Sequence, residues 1–567
     1  MKRLVSTLLS LLVYASAFCA ANTRLVVVPV EFSDVSFTDT QKYIYDKVEL
    51  ARRYLSSQFS PIYGEFTIDV LPVVRLSYSM SHYGTNSTTV KDYGLDEAVK
   101  VACIQSDANF APYDNDGDGY IDNICLITAG ASEAEGGGAY CIWPQQGYLH
   151  DRGGTVQLSG KTADCFTACP EFASAGTFCH ELGHVFGLMD MYDTDGRMSG
   201  GTAKGLWGTL SLMDSGGYLP NLNAIELEQL GIGTQVEATP GHITLNPIGS
   251  KREYLRLESD NPGEYFLFEC RSNSGWDDCQ PGAGLVVYHI DRSLADAWYS
   301  DAYRRNLSAA ERWEYNQINC RPEHPCARVI EAVPGTDNPA DIFFPRPGHS
   351  AFGAETDPPF RFWNGGTSEY ALNNISLGAD GSVSFDLIVP LVITGTDVFQ
   401  DAAIVRWTVD SSIKLDRCNV FWYSDDNRSS GSLTVFPNAS GVYSATIEGL
   451  QQLTSYQVTI RALAEDRAVF SRTLSIKTKT RLADARPFIY LTSAERNDDG
   501  SFPAGSGIPM RIYNAMDVSK VVWYYNDWRI YAGDDGLWHI TENGTLKAEI
   551  WYADGSCEII IKEIKVK

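Results

Sequence analysis

The sequence predicts a chain of several domains: an α/β unit, a β-rich part packed against it, and two β-sandwich modules at the end. Three observations predict this. Up to about residue 235, apolar runs of strand character alternate with stretches of helical spacing, the pattern of an α/β layer fold. From about 240 to 390 the pattern changes to short strands and Gly/Pro turns, with no Pro/Ser linker between. From 391 onward only short strands at regular spacing remain. A length of 567 residues allows three or four such units, each with its own core. The division expected is 1–20 leader, 22–235 α/β unit, 236–390 packed β-rich part, 391–480 first sandwich and 486–567 second sandwich.

Lys2 and Arg3 precede an apolar run over 4–13, followed by Ala15, Ser16 and Ala17. A basic start, a short apolar core and an Ala-x-Ala site make a secretory signal peptide, and the run is too short to span a bilayer. Phe18 before Cys19 is too bulky for a lipoprotein cut, so the expectation is a released protein, extracellular or periplasmic, rather than a lipid-anchored one. Thirteen cysteines become twelve without Cys19, an even number suited to an oxidising compartment. Cys320 with Cys326, and Cys165 with Cys169, are the short loops a disulfide would close. A net charge of −26 argues against nucleic acid or an anionic membrane as partner.

Residues 23–32 (TRLVVVPVEF) are a run rich in β-branched residues, read as a buried strand. Residues 41–59 and 96–104 carry helical spacing, and 121–127 form another apolar strand. In the β-rich part, 264–269 (EYFLFE) and 284–289 (GLVVYH) are strands.

The chemistry concentrates in residues 176–196, GTFCHELGHVFGLMDMYDTDG. Phe178, Leu182, Val185 and Phe186 recur at helical spacing, so this is an amphipathic helix with a buried stripe. His180 and His184, four apart, project from one face one turn from each other. Both imidazoles can therefore reach one tetrahedral zinc ion, with Glu181 beside it as general base for a zinc-activated water. Gly187 can end the helix and turn the chain back under the metal. Asp190 then offers the third ligand, as an oxygen donor ten residues after the first histidine, with Asp193 and Glu226 as alternatives. Met213 lies in a tight turn downstream, and Tyr218 or Tyr192 can donate to the oxyanion of a tetrahedral intermediate; Tyr218 is taken as the catalytic candidate.

A second cation site is expected in 114–122, DNDGDGYID. Asp114, Asp116, Asp118 and Asp122 stand at loop positions one, three, five and nine, with the Tyr120 carbonyl at seven and Gly119 for the turn. That is calcium-loop spacing, although Cys125 replaces the glutamate of a complete EF-hand. Four carboxylates this close repel unless a cation lies among them. His289 with Asp291 reads as a structural pair, and Glu133 and Glu135 as part of a mobile Gly-rich loop. Trp422, Trp523, Trp528 and Trp551 in the terminal modules read as core residues before binding-face ones.

Together these motifs resemble the immune inhibitor A-type secreted bacterial zinc metalloproteases, with their HExxHxxGxxD pattern. The resemblance covers about 24–390: 26–34 (VVVPVEFSD), 113–122 (YDNDGDGYID), 142–144 (IWP), the zinc helix, 212–214 (LMD), 281–285 (PGAGL) and 289–291 (HID). It implies a metzincin-like (zincin) catalytic domain, zinc-dependent endopeptidase activity on protein or peptide substrates, bound calcium and export. In such a fold Asp190 takes the third-ligand position and Met213 the Met-turn. Met189 stands where many members have proline, and little chain separates the leader from the first strand for a propeptide. Trp407, Leu453 and Tyr456 resemble the tryptophan and tyrosine-corner positions of a fibronectin type III domain, a type of module suited to surface or matrix binding. Two competing functions are an inactive metalloprotease-like binding protein and a zinc hydrolase of a non-peptide substrate.

Overall fold

The computed structural model describes residues 22–567 other than 88–89, 197, 199–205, 207, 260, 296, 337, 411–413, 427, 438–440, 465–466, 481–485, 492–496 and 498–499. The expected leader, 1–20, lies outside the described residues.

Strand β1 (Thr23–Glu31) occupies the middle of the first sheet and pairs in parallel with β2 (Phe66–Val70) and β3 (Ile124–Thr128). Beyond β3 lies β5 (Cys165–Pro170), also parallel, and then β4 (Gln145–Tyr148), antiparallel at the edge. Because side chains alternate across a strand, the apolar run of β1 serves two cores. Leu25 and Val27 pack on the face holding helix α1 (Lys47–Tyr63) and helix α3 (Ala175–Val185). Val26, Val28 and Val30 pack on the opposite face with helix α2 (Leu95–Ser106). Burial on both faces explains why this strand reads as a continuous apolar run instead of an alternating one.

A short helix, α4 (Ala224–Leu230), leads into a five-stranded sheet. Its order is Thr234–Val236, β6 (Glu253–Glu258), β7 (Glu264–Arg271), β8 (Gly284–Asp291) and β9 (Ala327–Ile330). Between β8 and β9 lies helix α5 (Ala309–Glu314). One apolar core contains Phe178 and Leu182 of α3 together with Leu267, Val286, Tyr288 and Phe343, so these strands pack against the α/β part. Fully buried Arg271 ties the two together. Its guanidinium donates to Glu269 Oε1 at 2.6 Å, Asp277 Oδ1 at 2.7 Å and the carbonyls of Leu210 and Asn221 at 3.0 and 2.9 Å. A charge so buried is tolerable only when paired and fully hydrogen-bonded.

Residues 391–477 form two facing sheets, of three and four strands. Trp407 and Tyr456 are buried in their core, and the Tyr456 hydroxyl accepts from the Gln451 backbone N–H at 2.8 Å, the tyrosine-corner bond of such sandwiches. The last unit has its own core around Trp523, Tyr525 and Ile540. Trp528 departs from the core reading: it lies on a two-residue strand beyond the turn at Asn526 and Asp527 and is 80% exposed.

The twelve described cysteines form no disulfide with one another. Cys165 and Cys169 lie four residues apart on the extended strand β5, roughly 13 Å at about 3.3 Å per residue, beyond the reach of a disulfide. Cys320 and Cys326 also remain thiols.

Candidate metal centre

Helix α3 begins at Ser174, whose Oγ accepts the Thr177 N–H at 3.0 Å, a side-chain cap for the orphan amides of the first turn. It ends where Gly187 adopts φ 93°, a left-handed turn that closes with the Leu188 N–H on the Gly183 carbonyl at 3.0 Å. That turn brings Asp190 back beneath the helix. His180 Nε2 is 3.1 Å and His184 Nε2 3.3 Å from the same atom, Asp190 Oδ1. The three donor atoms lie within 4.8 Å of one another.

The environment sets the chemistry of these donors. His180 Nδ1 donates to the Leu212 carbonyl and His184 Nδ1 to the Leu188 carbonyl, each at 2.9 Å. With both Nδ1–H groups given away, both Nε2 atoms are the ones to present lone pairs inward, the usual outer-sphere arrangement of a metal-binding histidine. Asp190 Oδ1 is buried and, among the described residues, takes no hydrogen bond from any other group. Burial lowers the His180 pKa, but the Asp190 hydrogen bond and the Glu181 charge outweigh it and raise His180 to about 9. Burial raises Asp190, and the two imidazoles more than reverse that, holding its carboxyl well below the usual range. Two imidazoles and one carboxylate converging in a buried, cation-favouring pocket fit zinc.

Glu181, 7% exposed, lies beside the triad without entering it. Burial raises its pKa, both imidazoles oppose that, and a hydrogen bond from the Gln146 backbone on edge strand β4 also lowers it. Met213 is fully buried below the helix, and an added Cβ on Gly183 would stand 2.7 Å from its sulfur. The two alternative third ligands are engaged elsewhere. Glu226 accepts from Ser211 Oγ at 2.6 Å, the Met213 N–H at 3.3 Å and the Asn223 N–H at 2.9 Å, so it builds the Met213 turn. Asp193 groups instead with Asp195 and Cys320.

Tyr192 stacks near His180, with ring centroids 6.2 Å apart. Tyr218 is 49% exposed and lines a cavity of about 630 Å³ with Ser174, Gly176, Arg53 and Trp276, at the start of α3. His289 and Asp291, expected as a structural pair, instead take separate partners: His289 pairs with Glu264 at 2.8 Å and Asp291 with His324 at 2.7 Å. Glu133 accepts from Asn86 and Lys91 in its loop.

In the acidic loop, Asp114, Asp116 and Asp118 bring carboxylate oxygens within 4.8 Å of one another. Asp122 is turned away, accepting from the Asn115 backbone and side chain at 2.8 and 2.5 Å. Lys161 Nζ is 2.5 Å from Asp114 Oδ2 and supplies a positive charge there. The Tyr120 N–H donates to Asp118 Oδ1 at 2.7 Å.

Residues 27–234 match the family model described as immune inhibitor A peptidase M6, catalytic domain. Immune inhibitor A of Bacillus thuringiensis subsp. alesti is 26% identical over 292 residues, 38% of this chain and 42% of that protein. The pre-pro-metalloprotease PrtV of Vibrio cholerae serotype O1 (strain M66-2) is 32% identical over 174 residues, 25% of this chain and 18% of that protein. The matches thus span less than half of these relatives' lengths. Among solved structures, the fibronectin type III domain of human collagen alpha-1(XX) chain aligns with 17% of this chain and 86% of its own, at 25% identity and a TM-score of 0.15. No helix among the described residues is long and apolar enough to cross a membrane. The resemblance carried by the motifs therefore holds for the region with the candidate metal centre: residues 27–234 are similar to the catalytic domain of the immune inhibitor A-type metalloproteases.

Proposed function

We propose that this chain is a secreted, metzincin-like zinc endopeptidase. The observation that carries the reading is the convergence of His180, His184 and Asp190 on one point, with Glu181 buried beside them. Zinc supplies Lewis-acid activation of water and of the peptide carbonyl. The chain's own groups do the rest. Glu181 takes a proton from the attacking water at its carboxylate and returns it to the departing amine, a role favoured by the upward pull of burial on its pKa. Strand β4 is the sheet edge beside Glu181, so its outer backbone groups can pair with an extended peptide. Tyr218, on the cavity wall, is the proposed donor to the oxyanion. The decisive measurement is zinc content beside casein hydrolysis for Glu181→Gln. Zinc should stay near one per chain while hydrolysis falls by about 10²–10⁴-fold, the usual worth of a general base; undiminished hydrolysis would overturn the mechanism.

Calcium is the second proposed ion, with Asp114, Asp116, Asp118 and the Tyr120 carbonyl as ligands and Asp122 joining by turning from Asn115. The gathering of three carboxylates supports it; Lys161 is the competing counter-charge. Calcium at a hundredfold excess over Kd should stabilise the fold by about 3 kcal/mol. Asp116→Ala with Asp118→Ala should abolish the calcium-dependent rise in melting temperature, and a full rise in that variant would remove the loop from consideration. Export is proposed on the strength of the leader-like start, and the terminal sandwiches are proposed to dock the enzyme on surfaces or matrix.

A further inference from the structure

Asp190 is held from outside the catalytic region. Its Oδ2 accepts from Asn316 Nδ2 at 2.7 Å, and its backbone N–H donates to Asn316 Oδ1 at 2.8 Å. One amide thus grips both the carboxylate and the main chain of a residue 126 positions earlier. The other oxygen, Oδ1, is left facing the two imidazoles. Asn316 lies two residues past α5 with φ 53°, a left-handed conformation that asparagine tolerates better than most residues. Its neighbours brace the same loop. The Asn316 carbonyl accepts from Thr194 Oγ1 at 2.5 Å, Gln317 Nε2 donates to Thr194 Oγ1 at 3.2 Å, and Asn319 Nδ2 donates to the Met191 carbonyl at 2.8 Å.

A carboxylate that ligates through one oxygen can swing about its side-chain torsions unless the second oxygen is fixed. Losing a partner that fixes it typically costs about 10–100-fold in metal affinity. We propose that Asn316 is a positioning residue of the metal centre: it sets which oxygen of Asp190 faces the metal, so the centre is completed by the β-rich part of the chain. This rests on the reading of Asp190 as the third ligand. Asn316 lies beyond the 27–234 region that matches the peptidase family, and its role comes from the two hydrogen bonds alone.

The test uses the full-length protein and three substitutions. Asn316→Gly removes the amide while keeping the left-handed backbone unstrained. Asn316→Asp keeps the acceptor for the Asp190 N–H and replaces the donor by a like charge. Asn319→Ala removes a brace of the same loop that does not touch the ligand. Zinc affinity is measured by chelator competition, and ligand geometry by the visible absorption of the cobalt-substituted protein. Both Asn316 variants should bind zinc about 10–100-fold more weakly and shift the cobalt bands, whereas Asn319→Ala should lower the melting temperature with parental affinity and spectrum. Parental affinity and bands in the Asn316 variants would overturn the proposal, as would an equal loss in Asn319→Ala, which would mark a merely structural brace. Should Asn316→Gly fail to fold, Asn316→Asp decides. Asp190→Ala, run in parallel, separates the two claims: if it binds zinc like the parent, the ligand assignment falls and this inference with it; if it alone loses zinc, only this inference falls.

Discussion

Asp92 shows how burial writes a pH dependence into a single residue. It is fully buried with φ 48°, and its Oδ2 accepts from the Trp143 N–H at 2.9 Å and Gln145 Nε2 at 2.6 Å. Burial pushes its pKa up to about 7 against the Trp143 hydrogen bond. A carboxyl raised in the fold favours the folded state in its neutral form. That contribution is complete below about pH 4 and is lost as pH climbs through 7. Asn, permanently neutral and tolerant of a left-handed backbone, should therefore stabilise the protein relative to Asp92 at pH 8 and bring little gain at pH 4. Melting curves of Asp92→Asn against its parent, both carrying Glu181→Gln to prevent self-digestion, decide it. An equal difference at both pH values would refute the assignment. The same scale shows what a sequence discloses. His180, Glu181 and His184 were legible because helix spacing alone places them together, and Asp190 because Gly187 turns the chain within six residues. Asn316 was not: nothing local marks an asparagine that grips a loop 126 residues away.

At the scale of elements, the strands and helices of the α/β part follow their patterns closely. The 23–32 run supplies β1, the 96–104 spacing lies within α2, and the 41–59 spacing falls on a π-helical turn, Gln41–Asp46, that runs straight into α1. What spacing does not encode is contact between elements, and α3 on the Met213 turn is the instructive case. Gly183 sits mid-helix, where glycine costs about 1 kcal/mol against alanine in an exposed helix. The structure supplies the reason: a Cβ there would meet Met213 Sδ at 2.7 Å and the Leu188 side chain at 3.6 Å. Gly183→Ala should thus destabilise by about 1–3 kcal/mol through overpacking in spite of better helix propensity. Gly183→Ala combined with Met213→Ala should cost less than the sum of the two single losses, because alanine at 213 vacates the space the new methyl needs. A double-mutant cycle on the melting free energies reads the coupling. Strict additivity would show that the contact carries no strain.

The whole molecule divides by its cores. The α/β and β-rich parts share one, containing Phe178 beside Leu267 and Tyr288, and Arg271 and Asn316 reach from the second part into the surroundings of the metal centre. The first sandwich keeps a separate core around Trp407 and Tyr456. Its contacts with the β-rich part include the Arg472–Glu369 ion pair at 3.0 Å and a hydrogen bond from Thr367 Oγ1 to the Ser471 carbonyl at 3.1 Å. The two sandwiches, by contrast, meet through Phe399, Ile404 and Tyr513, with Arg511 bridging Asp401 and Glu448. Two different truncations therefore have opposite expected fates. A protein of residues 22–390 should fold, bind zinc and cleave a short unstructured peptide at close to the full-length rate, because it keeps the shared core and every group around the metal. Its rate on large or surface-bound substrates should fall, since remote modules add binding and effective concentration without touching the chemistry. A protein of residues 22–235 should aggregate or lose zinc, because the cut exposes the apolar face shared with Leu267 and Tyr288 and removes Asn316. Size-exclusion profiles, zinc content and peptide hydrolysis of the two proteins test this together. A soluble, zinc-loaded 22–390 protein unable to cleave a small peptide would show that the sandwiches help build the site. An active 22–235 protein would show that the β-rich part does not.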